Sequence, residues 1–381
     1  MKINKNNNYF NLEKKNTKIK RIDLYKIIKI NDPQEKIIYN LILSVLKERT
    51  KSLNSKDFLL KKAELYDTYI NMSSIDLQEF YLINFSLEFI ASKVNYNHVK
   101  NLFQDFLNNN LIIKDILEIE KENYLIKINN QKNSLQDIAY NILLNKILPD
   151  YYLTYDKIIN VIENINIETI NKYVEKIVNE NFILEINYNL ENVKFMLEEK
   201  KIKSNFIYNN HEEVIEKTIK NEQLNYYFVF EINKNYNYYE RQLFNEYFGA
   251  NVNSKLFSII REEKHLCYSV YSTFITKNLL IIYVGLDPLK ANECKEEIMK
   301  IINKINQENI RIDIFKKQLI NKYDQNQDKY FFYKKIIEKS IIDNELVYDI
   351  EKINDNINQI DQEKLKDIAA NLKLIKEIKI S

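Results

Sequence analysis

Tyr81, Ile83, Phe85, Leu87 and Phe89 alternate with Leu82, Asn84, Ser86 and Glu88, a period of two that predicts a strand with one buried face. Upstream, Lys18–Ile30 also reads as a strand. Asp32-Pro33-Gln34-Glu35 then carries a helix start: an Asp cap, Pro in the first turn, and Glu three after the cap. Ile38, Leu41, Ile42 and Val45 follow at helical spacing, so Pro33–Arg49 is expected to be a helix. Asn54-Ser55-Lys56, a short helix and a first strand come before the alternating one. Two longer helical stretches, about 97–148, lead to a helix near Glu168–Asn179 and a closing strand, Phe182–Asn187.

The second half runs through the same order. Tyr226–Ile232 reads as a strand, and Tyr238–Phe248 as a helix ending at Gly249, a natural left-handed cap. Asn253-Ser254-Lys255 echoes Asn54-Ser55-Lys56. Leu266–Ile275 and Leu279–Gly285 form a hairpin around Thr276, Lys277 and Asn278. Helices at Lys290–Gln307 and from Asp313 to about Ile342 precede a last helix–strand pair, Gln362–Ser381. This is a diverged tandem repeat at an offset of roughly 195–200 residues. The alternative is coincidence between two α+β domains of similar size; the shared Asn-Ser-Lys and the closing unit weigh against it. The domains expected are 1–200 and 201–381, with Glu198–Ser204 as linker. Each is an α+β unit, an antiparallel sheet with helices on one face.

Composition narrows the picture. The 381 residues suffice for two cores, and no apolar run approaches the ~18 residues of a membrane span. The polar start lacks the apolar stretch of a secretory signal, and Cys267 and Cys294 are the only cysteines, so the chain is expected to be cytoplasmic. With 56 basic against 54 acidic residues, nothing indicates a nucleic-acid surface. The lysines of Lys14–Lys20 read as a solvated face or a frayed terminus. Gly249 and Gly285 are the only glycines, which removes Gly-rich phosphate loops from consideration.

The most informative run is Asn253 to Tyr268, NSKLFSIIREEKHLCY. It resembles a segment in the C-terminal domain of pitrilysin/insulinase-type zinc peptidases, and Leu243–Phe248 and Ile281–Asp287 add to the likeness. The resemblance implies two such domains per chain, as in the mitochondrial-processing-peptidase-like branch. Among its members the bacterial YfmF-like ones, zinc-less partners of a zinc-bearing chain, look most similar. Arg261 and Tyr268, seven positions apart, match the Arg/Tyr pair that the family points at bound peptide. The resemblance implies that the phenol donates to the scissile carbonyl as it becomes an oxyanion, while the guanidinium fixes the peptide alongside. The family's Gly-Gly is Gly249-Ala250 here, His265 replaces a Gly and Cys267 an Ala, so a stiffer, bulkier loop is expected near Asn251–Asn253.

The family's zinc motif, His-x-x-Glu-His, is absent. Aligned on Thr50, the positions of the two histidines and the glutamate base become Asn40, Ser44 and Leu43. No register slip supplies a ligand, because no His occurs from Met1 to Asn97. Glu120 resembles the family's structural glutamate, which puts Lys127 at the distal ligand position, where an ammonium would repel a divalent cation. His98, His211 and His265 lack partners at ligand spacing. Cys267 beside His265 offers a thiol and a base without an orienting third group, a weak basis for nucleophilic chemistry.

The resemblance therefore implies a chain that is not an enzyme by itself and holds no metal or cofactor. It would be the non-catalytic subunit of a heterodimeric zinc endopeptidase, with zinc in a homologous partner and unfolded peptide as substrate. The alternative is a structural or adaptor homologue without a part in catalysis. Neither expectation involves nucleic acid or membrane.

Overall fold

The computed structural model describes all residues except 1, 7, 191–194, 199–206, 219–222, 327–328 and 344–349. Most of the expected linker, Glu198–Ser204, lies outside the described residues. The chain divides into two compact units: Met1–Gln131 with Leu148–Ile207, and Lys132–Ile147 with Tyr208–Ser381.

In the first half, β1 (Lys2–Asn6), β2 (Tyr9–Glu13) and β3 (Ile19–Lys29) precede α1 (Pro33–Leu46) and α2 (Ser55–Glu64). Next come β4 (Tyr69–Leu77), β5 (Phe80–Ile90), α3 (Tyr96–Leu107), α4 (Lys114–Lys132) and α5 (Leu135–Ile147). Helices α6 (Tyr155–Asn164) and α7 (Ile167–Asn179) and strand β6 (Phe182–Tyr188) close it. The sheet order is β1-β2-β6-β3-β5-β4. Asp32 caps α1 by accepting from Gln34 N at 2.8 Å, and Pro33 sits in the first turn where no amide donor is missed. Ile38, Leu41, Ile42 and Val45 pack on Tyr81, Ile83, Phe85 and Leu87 in the first core.

The second half holds β7 (Glu213–Lys217), β8 (Leu224–Ile232), α8 (Tyr238–Phe248), a π-helical segment Phe257–Glu263, β9 (Ser269–Phe274) and β10 (Leu279–Leu286). Helices α9 (Ala291–Ile305), α10 (Ile312–Asp324), α11 (Tyr330–Asp343), α12 (Ile350–Asn358) and α13 (Gln362–Ala370) lead to β11 (Leu372–Ile380). The order β7-β11-β8-β10-β9 repeats β2-β6-β3-β5-β4 position for position. Segment Lys132–Ile147, which contains α5, groups with the second unit although it precedes residue 200.

Several sequence expectations need correction. Each sheet is mixed, because β2 runs parallel to β6 and β7 parallel to β11. Strand β5 is buried on both faces: Leu82, Asn84 and Ser86 are as hidden as Tyr81 and Phe85. Their donors are taken up across the sheet, Ser86 Oγ and Asn84 Nδ2 donating to Asp23 Oδ1 at 2.5 and 2.9 Å, with Arg21 Nε on Asp23 Oδ2 at 2.7 Å. Strands β1 and β2 form ahead of Lys14–Lys20, a stretch that is largely exposed and tied at its start by Lys14 N on Asn189 Oδ1 at 2.7 Å. The helix expected from Asp313 to Ile342 is two helices, α10 and α11.

Candidate functional site

Asn40 lies midway along α1, half-buried. Its Oδ1 accepts from Tyr81 Oη at 2.5 Å, and its Nδ2 donates to Tyr124 Oη of α4 at 3.3 Å. Ser74 Oγ is 2.7 Å from the same Tyr81 oxygen, so a chain of polar contacts runs from β4 through Tyr81 and Asn40 to α4. Burial raises the phenols of Tyr81 and Tyr124, keeping both neutral. Leu43 is 4% exposed and belongs to the apolar core. Ser44 Oγ turns back to donate to Leu41 O at 2.8 Å. Tyr124 brings α4 against α1, while Lys127, one turn further on, is exposed.

An amide, an alkyl chain, a hydroxyl and an ammonium at these four positions do not fit zinc, which takes imidazole, thiolate or carboxylate ligands. Among the described residues no group of three or more His, Cys, Asp or Glu could hold a metal ion. A cavity of about 520 Å³ in the first unit, lined by Lys29, Lys172, Lys176, Glu175 and Glu180 among others, includes none of the candidate residues.

The second unit presents Arg261 and Tyr268 on either side of one turn. Arg261 lies in the last turn of the π-helical segment, with Lys264 N donating to Ile259 O and Leu266 N to Ile260 O, both at 2.9 Å. Such widened turns recur at functional sites. The chain then reverses at His265, whose φ of 51° is left-handed. A side chain in this conformation costs on the order of 1 kcal/mol relative to Gly. Leu266 is buried and anchors the turn, and Tyr268 N donates to Gly285 O at 2.8 Å as the chain enters β9. Strand β9 is the last of its sheet.

The Arg261 guanidinium stacks on the Phe257 ring at 4.7 Å, and its nearest carboxylate, Glu262, is 3.8 Å from Nε. Among the described residues the fork makes no hydrogen bond, and the side chain is 44% exposed. Tyr268 is 64% exposed. Two donors are thus held on a shaped turn and left open to a ligand. The structure brings neither of them to Asn40, Leu43, Ser44 or Lys127 within one unit.

Gly249 is not a left-handed cap; its φ of −159° is extended backbone. The glycine is needed for close approach, since a Cβ there would meet Ser272 Oγ and, at 2.8 Å, Leu256 Cδ1. The loop after it is tied by Asn251, which donates to Glu246 Oε2 at 2.7 Å and accepts from Asn253 N at 2.8 Å. Burial pushes the Cys267 thiol up to about 11, although Arg261 and Lys290 pull it the other way. A protonated thiol is the wrong state for a nucleophile. Sequence reasoning missed Tyr81 and Tyr124 as the partners of Asn40. No local pattern marks them, because both arrive from other elements.

Residues 163–320 match the family model described as Peptidase M16 inactive domain, a span from α6 into α10 that leaves α1 outside. No curated protein matches the sequence. Among solved structures, a conserved protein from Enterococcus faecalis V583 is 17% identical with a TM-score of 0.86, covering 98% of this chain and 96% of that one. A protease from Helicobacter pylori is 14% identical, TM-score 0.76, covering 98% and 97%. A peptidase M16 inactive domain from Pseudomonas fluorescens is 12% identical, TM-score 0.77, covering 98% and 94%. At these identities the structures show the fold, and the family match runs from the closing elements of the first unit through much of the second.

Proposed function

We propose that the chain is a non-catalytic M16 homologue, of the zinc-less bacterial branch, that pairs with a zinc-bearing homologue to form a cytoplasmic endopeptidase for unfolded peptides. The observation that carries this reading is the Phe257-stacked fork of Arg261, without a hydrogen bond among the described residues, and the exposed phenol of Tyr268 across the same turn. A surface pair kept only for stability would be engaged with partners in its own chain.

In this reading the zinc-bearing partner would supply Lewis-acid chemistry at the scissile carbonyl, and this chain's residues would act on the same peptide. Tyr268 donates its O–H to the carbonyl oxygen as negative charge develops there. Arg261 donates to a neighbouring main-chain carbonyl, and its stacking on Phe257 keeps the fork in place before the peptide arrives. Asn40 and its tyrosine partners serve the packing of the first unit.

Co-expression with a homologue carrying His-x-x-Glu-His, followed by size-exclusion chromatography and a peptide-cleavage assay, tests the reading. A joint peak whose cleavage depends on this chain is expected. Two independent monomers, in the presence of zinc and peptide, would overturn it. A stable pair whose activity ignores Arg261 and Tyr268 would make the chain an adaptor.

A further inference from the structure

The connection between β10 and α9 holds the turn between Arg261 and Tyr268 at two points. Gly285 O accepts from Tyr268 N at 2.8 Å, and Lys290 Nζ donates to His265 O at 2.7 Å. The stretch between these two anchors is itself tied down. Asp287 Oδ1 accepts from Leu289 N and Asp287 O from Lys290 N, both at 2.9 Å, and Pro288 opens the 3₁₀ turn Pro288–Lys290 with its backbone angle already set. The lysine therefore reaches toward His265 from a fixed backbone.

We propose that Lys290 is a positioning residue: by holding His265 O it fixes the left-handed step of the turn and so sets where the Tyr268 phenol stands. This rests on reading Tyr268 as the donor to the peptide carbonyl. His265 carries a φ of 51°, a conformation that disfavours any side chain and persists only with support from outside the residue. Among the described residues Lys290 Nζ is the one hydrogen-bond donor to His265 O, and its ammonium forms no ion pair that would draw it elsewhere. Its charge also reaches into the turn, where it favours the thiolate of Cys267.

The two members of the pair are held in different ways. The Arg261 fork is set by stacking on Phe257, whereas the Tyr268 side chain is 64% exposed and has little packing of its own. The phenol therefore takes its position from the backbone that leads into it. Released from Lys290, His265 can leave the left-handed region, and the segment entering Tyr268 is re-aimed with it. A displacement of about 1 Å at a donor to the reacting atoms costs up to about 10²-fold in rate. An ammonium suits this task, because it offers three donors and accepts nothing in return.

The first arm of the test uses the full chain alone. Lys290→Met keeps the aliphatic stem and removes the donor, so hydrogen–deuterium exchange at Leu266–Tyr268 should quicken by about tenfold while β8 is unchanged. Lys290→Arg keeps a donor and should exchange like the parent. The second arm uses the pair formed with a zinc-bearing homologue. There Lys290→Met should lower kcat by roughly 10–10²-fold with KM within about twofold of the parent, and Lys290→Arg should restore most of it. Added to Tyr268→Phe, Lys290→Met should lower kcat no further, because it acts through the phenol. Unchanged exchange in Lys290→Met overturns the inference, and so does an additive loss of kcat in the double variant. If Tyr268→Phe lowers kcat and Lys290→Met does not, the positioning role falls while the proposed function stands. If neither variant changes kcat, the reading of Tyr268 falls and takes the role of Lys290 with it.

Discussion

Helix α1 and the turn before β9 treat their polar atoms in opposite ways. On α1 the amide of Asn40 is used up by Tyr81 and Tyr124, Ser44 bonds back to Leu41, and Leu43 is core. On the turn, Arg261 and Tyr268 are fixed by stacking and by a backbone bond while their donors stay free. A side chain bound to its own fold has little left for a ligand. The difference leaves donors open on the turn and makes α1 a packing element.

The largest expected effect comes from forcing α1 back toward a metal site. Asn40→His, Leu43→Glu and Ser44→His together put a carboxylate at the 4% exposed Leu43 position, at a cost of about 3–5 kcal/mol for an uncompensated buried charge. Thermal melting should show a broad or lost transition, and elemental analysis no tightly held zinc. A well-folded triple variant carrying roughly one zinc per chain would break the comparison at its base.

Next in size is Tyr268→Phe, which keeps ring volume and should leave pairing intact. It should lower kcat of the assembled pair by roughly 10²–10³-fold, the cost of one oxyanion donor. Arg261→Ala should raise KM as well, and Arg261→Lys should rescue only in part, since an ammonium lacks the planar fork. Tyr271→Phe, three residues beyond Tyr268, is the control. Equal activity in both Phe variants would leave the turn without a catalytic part.

A smaller effect concerns the scaffold of the turn. Gly249→Ala drives a methyl into Leu256 and Ser272 and should cost about 1–3 kcal/mol by overpacking, read as a lowered Tm. No change in Tm would remove close packing as the reason for this glycine. The smallest effect is chemical. With its thiol pushed up to about 11, Cys267 should alkylate slowly at neutral pH and about tenfold faster per pH unit until that value is approached. Arg261→Met should slow it a little further, because the guanidinium favours the thiolate. Fast alkylation at pH 7 would mean that the turn is more open than its packing indicates.

Much of this was legible in the sequence for reasons that are local. Asp32 and Pro33 start α1 through their own hydrogen bonding and ring geometry, and the apolar spacing of α8 follows helical period alone. The repeat was visible in Asn-Ser-Lys and in the order of elements. What was missed is non-local. Asn84 and Ser86 look solvent-facing by type, and only Asp23 and Arg21 in the neighbouring strand make them buried. Strands β1 and β2 carry no clear strand pattern, yet β6 offers β2 an edge to pair with and β2 offers one to β1.

By itself, then, the sequence determined most of the element order and the duplication, and it sets Arg261 and Tyr268 seven positions apart with no His from Met1 to Asn97. These depend on residue type and spacing along one strand of chain. Tertiary structure decided that Asn40 is engaged by tyrosines from β5 and α4, that α5 groups with the second unit, and that Gly249 serves close approach. Each depends on which groups meet across the fold, and hydrogen bonding, desolvation and steric fit are properties of those meetings.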